Sequence, residues 1–417
     1  MKSDKEKNIA YKVLTFGFLF LIFSVPVLQA VYELKNHKSA GFVEIFRYSP
    51  TENNLRAYEK SLEESWWGNK NLRKGMLDLY SYLFGDTGER CVLGRDNWLF
   101  YRPGLRYLTE PDRLEENKKK RSENVIEIIS KFRNSLREKN IELVVVPVPE
   151  KPVIYPEMLA AGVKQVISPS EEFLKGLSKK GINTVDLFTA LREAKEKNPK
   201  IQYYLKADTH WTPAGAEVAA RKISGELIKL KYKTGRYKGY SRKNIKTKRR
   251  GDLVGMLGAS LGKERFEVEE AECGQILDNV TGLIIPDKVG VSGLYRNTHL
   301  IDTEKEASVL LLGDSFSRIY QLPEANSLGE NKAGVVVTNT RAEGSKTLLP
   351  GSAGLPSLLA WELQSAVDYI LSDGGAAKNT RLILVNNMEI LRNKKVVIWE
   401  FTERDIASGF SGWDITE

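Results

Sequence analysis

The chain reads as an α/β protein built on a mostly parallel sheet, and three observations predict it. The run ELVVVPV (142–148) is continuous, β-branched and apolar, as a strand covered on both faces must be. From Cys91 onward strand-like runs alternate with helical patterns, the rhythm of a parallel sheet flanked by helices. A chain of 417 residues that is 41% hydrophobic and 28% charged is long and apolar enough to bury a large core, which excludes a disordered protein.

The elements follow in order. Val13–Tyr32 is an uncharged stretch whose length matches a bilayer core, and Lys2, Lys5, Lys7 and Lys12 precede it. It predicts a transmembrane anchor over 13–32, a cytoplasmic tail over 1–12 and everything after it outside the cytoplasm. A signal peptide cut after Ala30 is the alternative, weakened by Leu28 where a small residue is preferred. Residues 33–88 read as a membrane-proximal lead-in with a helical stretch at Asn53–Glu63. Within a main domain over 89–417, helices are predicted at 116–139, 170–180, 212–230 and Leu355–Leu371. Strands are predicted at 142–148, 183–188, 307–313, 333–339, 381–386 and 395–400. The stretch 231–300, rich in Gly, Lys and short β-like pieces, breaks the rhythm and reads as a β-rich cap inserted into the α/β body.

Net charge is +9, but Lys229–Arg250 carries eleven Lys and Arg and no acid, so the remainder nets about −2. Basic character is therefore local. Three tyrosines, Tyr232, Tyr237 and Tyr240, interleave with the charges, a pattern also found in nucleic-acid sites. The outward topology argues against nucleic acid, and placement between the helix at 212–230 and the cap argues for a rim, including Lys243, Lys246, Lys248, Arg249 and Arg250, that steers an anionic polymer; a solvated or lipid-headgroup-facing surface is the alternative. Cys91 and Cys273 are the two cysteines, and an oxidising compartment predicts that they bridge. No Cys/His cluster has zinc-ligand spacing, and neither metal nor cofactor is implied.

Two loops carry chemistry. In YYLKADTHWTPAGAEVAA (203–220), Asp208 and His210 stand just before a helix whose first residues, Thr212 and Pro213, suit an N-cap and first position. In LLLGDSFSRIY (310–320), Ser315 lies where a buried strand meets a helix, a setting that exposes a nucleophile. A serine hydroxyl needs an adjacent base at neutral pH. His210 would take its proton, Asp208 would orient the imidazole, and the Ser315 N–H would serve as an oxyanion donor.

GRDNWLFYRPG (94–104), VVPVPEKPVIYPE (145–157), TVDLFTALREA (184–194), ADTHWTPAGAEVAA (207–220), RGDLVGML (250–257), LLLGDSFS (310–317) and VVIWEFTERDI (396–406) occur in the same order as in a known group. The sequence resembles the SGNH-hydrolase-like polysaccharide O-acetyltransferases of alginate assembly, the AlgX/AlgJ family. The resemblance implies a flavodoxin-type α/β sheet in which the Asp-x-His block precedes the Ser block, a circularly permuted motif order. It implies Asp208, His210 and Ser315 as a catalytic triad, and a hydrophobic anchor as in AlgJ-like members. It also implies a separate multi-span MBOAT-type protein that delivers acetyl groups. The chain ends about ten residues after the last block, which predicts no carbohydrate-binding sandwich of the AlgX kind. The block over 258–300 matches least.

Four further residues are expected near a bound sugar: Trp211, which could stack on a ring; Tyr320, on the helix after Ser315; Asn339, a possible oxyanion donor; and Arg404. Packing for Trp211 and Tyr320, and a structural ion pair for Arg404, are the competing expectations. The expected activity is O-acetyl transfer to a secreted, acidic polysaccharide at the outer face of the inner membrane. An acetylesterase with the same triad, or a non-catalytic polymer-binding scaffold, are the alternatives.

Overall fold

A computed structural model describes residues 4–37, 47, 51–52, 54–56, 87–109, 115–232, 239–257, 265–279, 282–283, 287–288, 294–296, 307–326, 347–373, 376–406 and 413. The chain divides into two units, Met1–Asp86 with Gly258–Leu261, and Thr87–Leu257 with Gly262–Glu417. In the first, a helix runs from Asp4 to Lys35. Its segment Leu14–Lys35 has a mean hydropathy of 2.1 and exposes Phe16, Phe18, Phe20 and Phe23. It is long and apolar enough to cross a membrane. Most of the predicted lead-in, including much of Asn53–Glu63, lies outside the described residues.

The second unit holds the strands, in chain order β1 (Cys91–Leu93), β2 (Leu99–Tyr101), β3 (Glu142–Val148), β4 (Asn183–Thr184), β5 (Tyr240–Arg249), β6 (Glu269–Asp278), β7 (Gly282–Leu283), β8 (Asp287–Lys288), β9 (Leu294–Arg296), β10 (Val309–Gly313), β11 (Pro323–Asn326), β12 (Thr347–Pro350), β13 (Val367–Ser372) and β14 (Val396–Thr402). The main sheet has the order β4-β3-β14-β10-β13-β9-β8. The five strands from β4 to β13 are parallel, and β9 and β8 extend one edge antiparallel. This is the SGNH hydrolase-like α/β arrangement expected.

Why the ELVVVPV run must be apolar throughout is visible in its two faces. Val144, Val146 and Val148 enter one core and Leu143 and Val145 the other, as the period of two requires. The first core is closed by Ala216, Ala219, Ala220, Ile223 and Leu227 of the helix Pro213–Lys229 and by the helix Leu355–Leu363. The second is closed by Val125, Ile129, Phe132 and Leu136 of Glu115–Arg137 and by Phe173 and Leu177 of Ser170–Lys179. Burying each such side chain contributes about 1.5–3 kcal/mol before the cost of ordering the chain.

Three predicted elements are corrected. The strand over 183–188 is cut short: β4 is Asn183–Thr184, and Asp186 caps a helix, Leu187–Lys197, that takes the rest. Leu355–Leu371 is not one helix: it stops at Leu363, Gln364 turns left-handed at φ 49°, and β13 follows beside β10. Arg381–Asn386 is a helix rather than a strand, because its burial is one-sided: Leu384 is buried while Val385 is exposed. A short apolar run suits either state, and the core it faces decides. The predicted strand over 333–339 lies outside the described residues.

The predicted cap is β-rich, but its makeup differs from a simple insertion. A second, antiparallel sheet has the order β11-β12-β5-β6-β7. Strands β11 and β12, from beyond Ser315, complete it, while β8 and β9 leave it for the main sheet.

The expected disulfide is absent. Cys91 and Cys273 are both free and buried, the first against the Leu253 carbonyl and the second against that of Ile245, in separate apolar clusters. Burial pushes their thiols up to about 11 and about 12, so both are inert, protonated core groups.

Candidate active site

The Asp-x-His loop is held shut by its own ends. Tyr204 bridges Trp211, Leu205 N donates to the His210 carbonyl (3.1 Å), and Thr212 N donates to the Tyr203 carbonyl (3.0 Å). Thr212 then caps the helix through Gly215 N, with Pro213 in the first turn, as the sequence predicts. The Tyr204 hydroxyl ties the loop to Pro149 at the end of β3. From the second sheet, Glu269 accepts the N–H groups of Lys206 (2.9 Å) and Ala207 (3.1 Å).

Ser315 opens a helix of only four residues, Ser315–Arg318, so little helix dipole stands behind it. Its position is fixed by the strand end instead. Asp314 caps Phe316 N (2.7 Å) and accepts Thr402 N (2.9 Å). Glu400 accepts Asp314 N (3.0 Å) and the Ser317 hydroxyl. Burial, with the charge of Asp314 adding, pushes Glu400 well above the ordinary carboxyl range, and its hydrogen bonds tie β14 to the end of β10. Phe316 joins the two loops, its ring 4.8 Å from that of His210 and 5.1 Å edge-on from Trp211.

The structure thus brings Asp208, His210 and Ser315 together. His210 Nε2 lies 2.8 Å from Ser315 Oγ, and Nδ1 lies 2.6 Å from Asp208 Oδ1. Asp208 is fully buried and His210 nearly so, while Ser315 keeps partial exposure. Burial opposes the charge of Asp208, but Arg249 and His210 outweigh it and hold the carboxyl well below its usual range.

The expected sugar-contacting residues fare differently. Trp211 is fully buried and meets Phe316 edge-on, so it offers no face to a ligand. Tyr320 is buried at φ 67°, and its hydroxyl donates to the Trp211 carbonyl. Both are packing residues. Arg404 pairs with Glu150 at 2.6 Å and lies over the Tyr101 ring, a structural ion pair. Asn339 lies outside the described residues.

Arg249, read from sequence as a rim residue, instead donates to Asp208 Oδ2 at 2.5 Å. Asp252 was also missed: its N–H donates to the same oxygen (2.8 Å), and its carboxylate accepts Thr209 N and the Thr209 hydroxyl. The signal for both was RGDLVGML beside a basic strand, but nothing local says which basic residue turns inward. Asp208, His210 and Asp252 bring ligand-type atoms within 4.8 Å of one another. Because a guanidinium already occupies Asp208, the cluster is an ion-paired hydrogen-bond network rather than a metal centre.

Comparison with known proteins agrees with this architecture. Residues 91–403 match the family described as "SGNH hydrolase-like domain, acetyltransferase AlgX". A probable alginate O-acetylase AlgJ of Pseudomonas syringae pv. tomato is 26% identical over 327 residues, covering 77% of this chain and 70% of the relative. One of Azotobacter vinelandii is 30% identical over 176 residues, covering 40% of this chain and 41% of the relative. The solved O-acetyltransferase domain of Pseudomonas putida AlgJ shares the fold, with a TM-score of 0.53 at 20% identity, covering 78% of this chain and 96% of that domain. The chain belongs to the AlgX family of SGNH hydrolase-like acetyltransferases.

Proposed function

We propose that this chain transfers acetyl groups to hydroxyls of a secreted, acidic polysaccharide through an acetyl-serine on Ser315. What carries the reading is the continuous chain from Asp208 Oδ1 through His210 to Ser315 Oγ, with links of 2.6 and 2.8 Å. His210 Nε2 takes the proton of Ser315 as Oγ attacks the acetyl carbonyl. Asp208 accepts a hydrogen bond from Nδ1–H, which fixes the tautomer and stabilises the imidazolium. The oxyanion draws on the Ser315 N–H. Collapse expels the donor's leaving group, which takes the proton from His210. A sugar hydroxyl then gives its proton to His210 Nε2 and attacks the acetyl-serine; Ser315 Oγ leaves, takes the proton back from His210, and the ester stays on the sugar. Water in place of the sugar would make the same site an esterase.

The alginate-acetylase names of the relatives support a polyuronate acceptor. The Leu14–Lys35 segment supports anchoring by a single span in the inner membrane with the catalytic unit in the periplasm. The one such segment among the described residues offers no path for acetyl groups across a bilayer, so the donor is supplied by a separate multi-span protein of the MBOAT type.

The test is intact-mass analysis of the full-length chain in detergent after exposure to an activated acetyl ester. One acetyl adduct is expected on the parent and none on Ser315→Ala, whose turnover should fall by roughly 10³–10⁶-fold. An adduct that survives in Ser315→Ala overturns the assignment. Adding a uronate oligosaccharide should divert acetyl from water to sugar; hydrolysis alone would favour the esterase.

A further inference from the structure

The last five residues of strand β5, Ile245–Arg249, sort by parity. Ile245, Thr247 and Arg249 share one face, on which Thr247 is buried. Lys246 and Lys248 share the other, opposite Glu272 and Glu270 of β6, and Lys248 pairs with Glu270 at 2.8 Å. The last inward residue, Arg249, reaches Asp208 with its side chain only 12% exposed.

The chain then turns at Gly251, where a Cβ would collide with the Ala207 carbonyl and crowd Asp208 N at 2.7 Å. Only glycine lets the strand end press this closely on the Asp-x-His loop. Beyond it, Asp252 N donates to Asp208 Oδ2.

The two oxygens of Asp208 therefore have separate duties. Oδ1 accepts His210 N (3.0 Å) and faces Nδ1, while Oδ2 accepts Arg249 and Asp252 N. Rotating the carboxylate would break bonds on both sides.

We propose that Arg249 is a positioning residue for His210: from the second sheet it holds Asp208 ionised and turned so that Oδ1 serves the imidazole. This rests on the reading of Ser315 as the nucleophile. The groups that act on Asp208 are His210 on its own loop, Arg249 of β5, Asp252 after it, Lys151 beyond β3 and Tyr320; Glu269 of β6 acts on Lys151 and Tyr320 and accepts Ala207 N. Without the guanidinium, the negative charge of Asp252, 3.6 Å from His210 Nδ1, acts on Asp208 unopposed by its closest cation. Losing that positive charge favours proton uptake by the coupled Asp208–His210 pair, so the acid limb of kcat/KM, which reports the pair, moves up.

The experiment is the pH profile of the full-length chain in detergent with a small activated acetyl ester. Arg249→Gln keeps N–H donors but removes the charge. It should lower kcat/KM by about 10–100-fold, chiefly in kcat, and shift the acid limb upward. Arg249→Lys should recover much of both. Asp252→Asn removes a negative charge beside Asp208 and should shift the limb downward, a reversal that general damage would not produce. Rate and limb unchanged in Arg249→Gln overturn the proposal, and so does Lys no better than Gln. If Arg249→Gln does not fold, an acid limb that stays in place in Asp252→Asn overturns it. Loss of activity in Ser315→Ala alongside an unaffected Arg249→Gln removes only the role of Arg249. Activity retained in Ser315→Ala removes the parent reading.

Discussion

Two fully buried acids, Asp208 and Glu403, sit beside arginines and yet lean in opposite directions. Arg249 touches Asp208 itself, and with His210 it overcomes burial, so the carboxyl stays well below its usual range. Arg404 instead spends its charge on Glu150 at 2.6 Å. Glu403, which accepts Glu150 N and the Ser168 hydroxyl, is pushed up to about 8 by burial, with the charge of Glu150 adding. Burial likewise takes Asp405 to about 7 against the pull of Arg404. Which acid the cation contacts, not depth, decides the charge state. A perturbed acid is also not by itself a site. From Asp208 a hydrogen-bonded chain leads to a partly exposed serine; the Glu403 cluster joins the ends of β3 and β14 to the segment carrying Ser168 and Ser170.

The sharpest way to break this contrast is to remove Arg404. Arg404→Met leaves Glu150 buried without its cation and should cost about 3–5 kcal/mol in urea unfolding of the full-length chain. Turnover per folded molecule should be unchanged. Parental stability with reduced turnover would move Arg404 back beside the substrate.

The next effect is in pH. Glu403 has a folded pKa raised above its ordinary value of about 4.3. Its contribution is fully present below that value and is lost as pH rises through about 8. Glu403→Gln mimics the protonated acid, so its urea midpoint should decline less between pH 5 and 8 than the parent's. Identical slopes would mean that Glu403 is ionised in the fold. Asp208 runs the other way: its carboxyl is held below the usual range, so its contribution is lost as pH falls.

The smallest effect concerns the basic strand. Lys248 faces Glu270, Arg242 pairs with Glu217 and Arg249 is turned inward, so the steering field is weaker than the eleven charges suggest. Lys243→Gln with Lys246→Gln should weaken binding of a polyuronate by roughly 2–5-fold at low salt, and less as salt is added. No change in binding would reduce the strand to a solvated face.

The sequence by itself determined the α/β class, the position of β3, β10 and β14, the capped helix after Thr212 and the three residues now joined from Asp208 to Ser315. Those features are written in periodicity, turn chemistry and short spacing, which act within a few residues. The tertiary structure alone decided that Trp211 and Tyr320 pack inward, that Cys91 and Cys273 stay apart, and that β11 and β12 complete the second sheet. It also exchanged the two arginines, sending Arg404 to a structural pair and Arg249 to Asp208. Along a strand, neighbours point to opposite faces, so one residue separates Arg249 inside from Lys248 outside. Which parity faces inward is set by β6 and by a carboxylate 41 residues away in the chain, contacts that exist only once the sheets have formed.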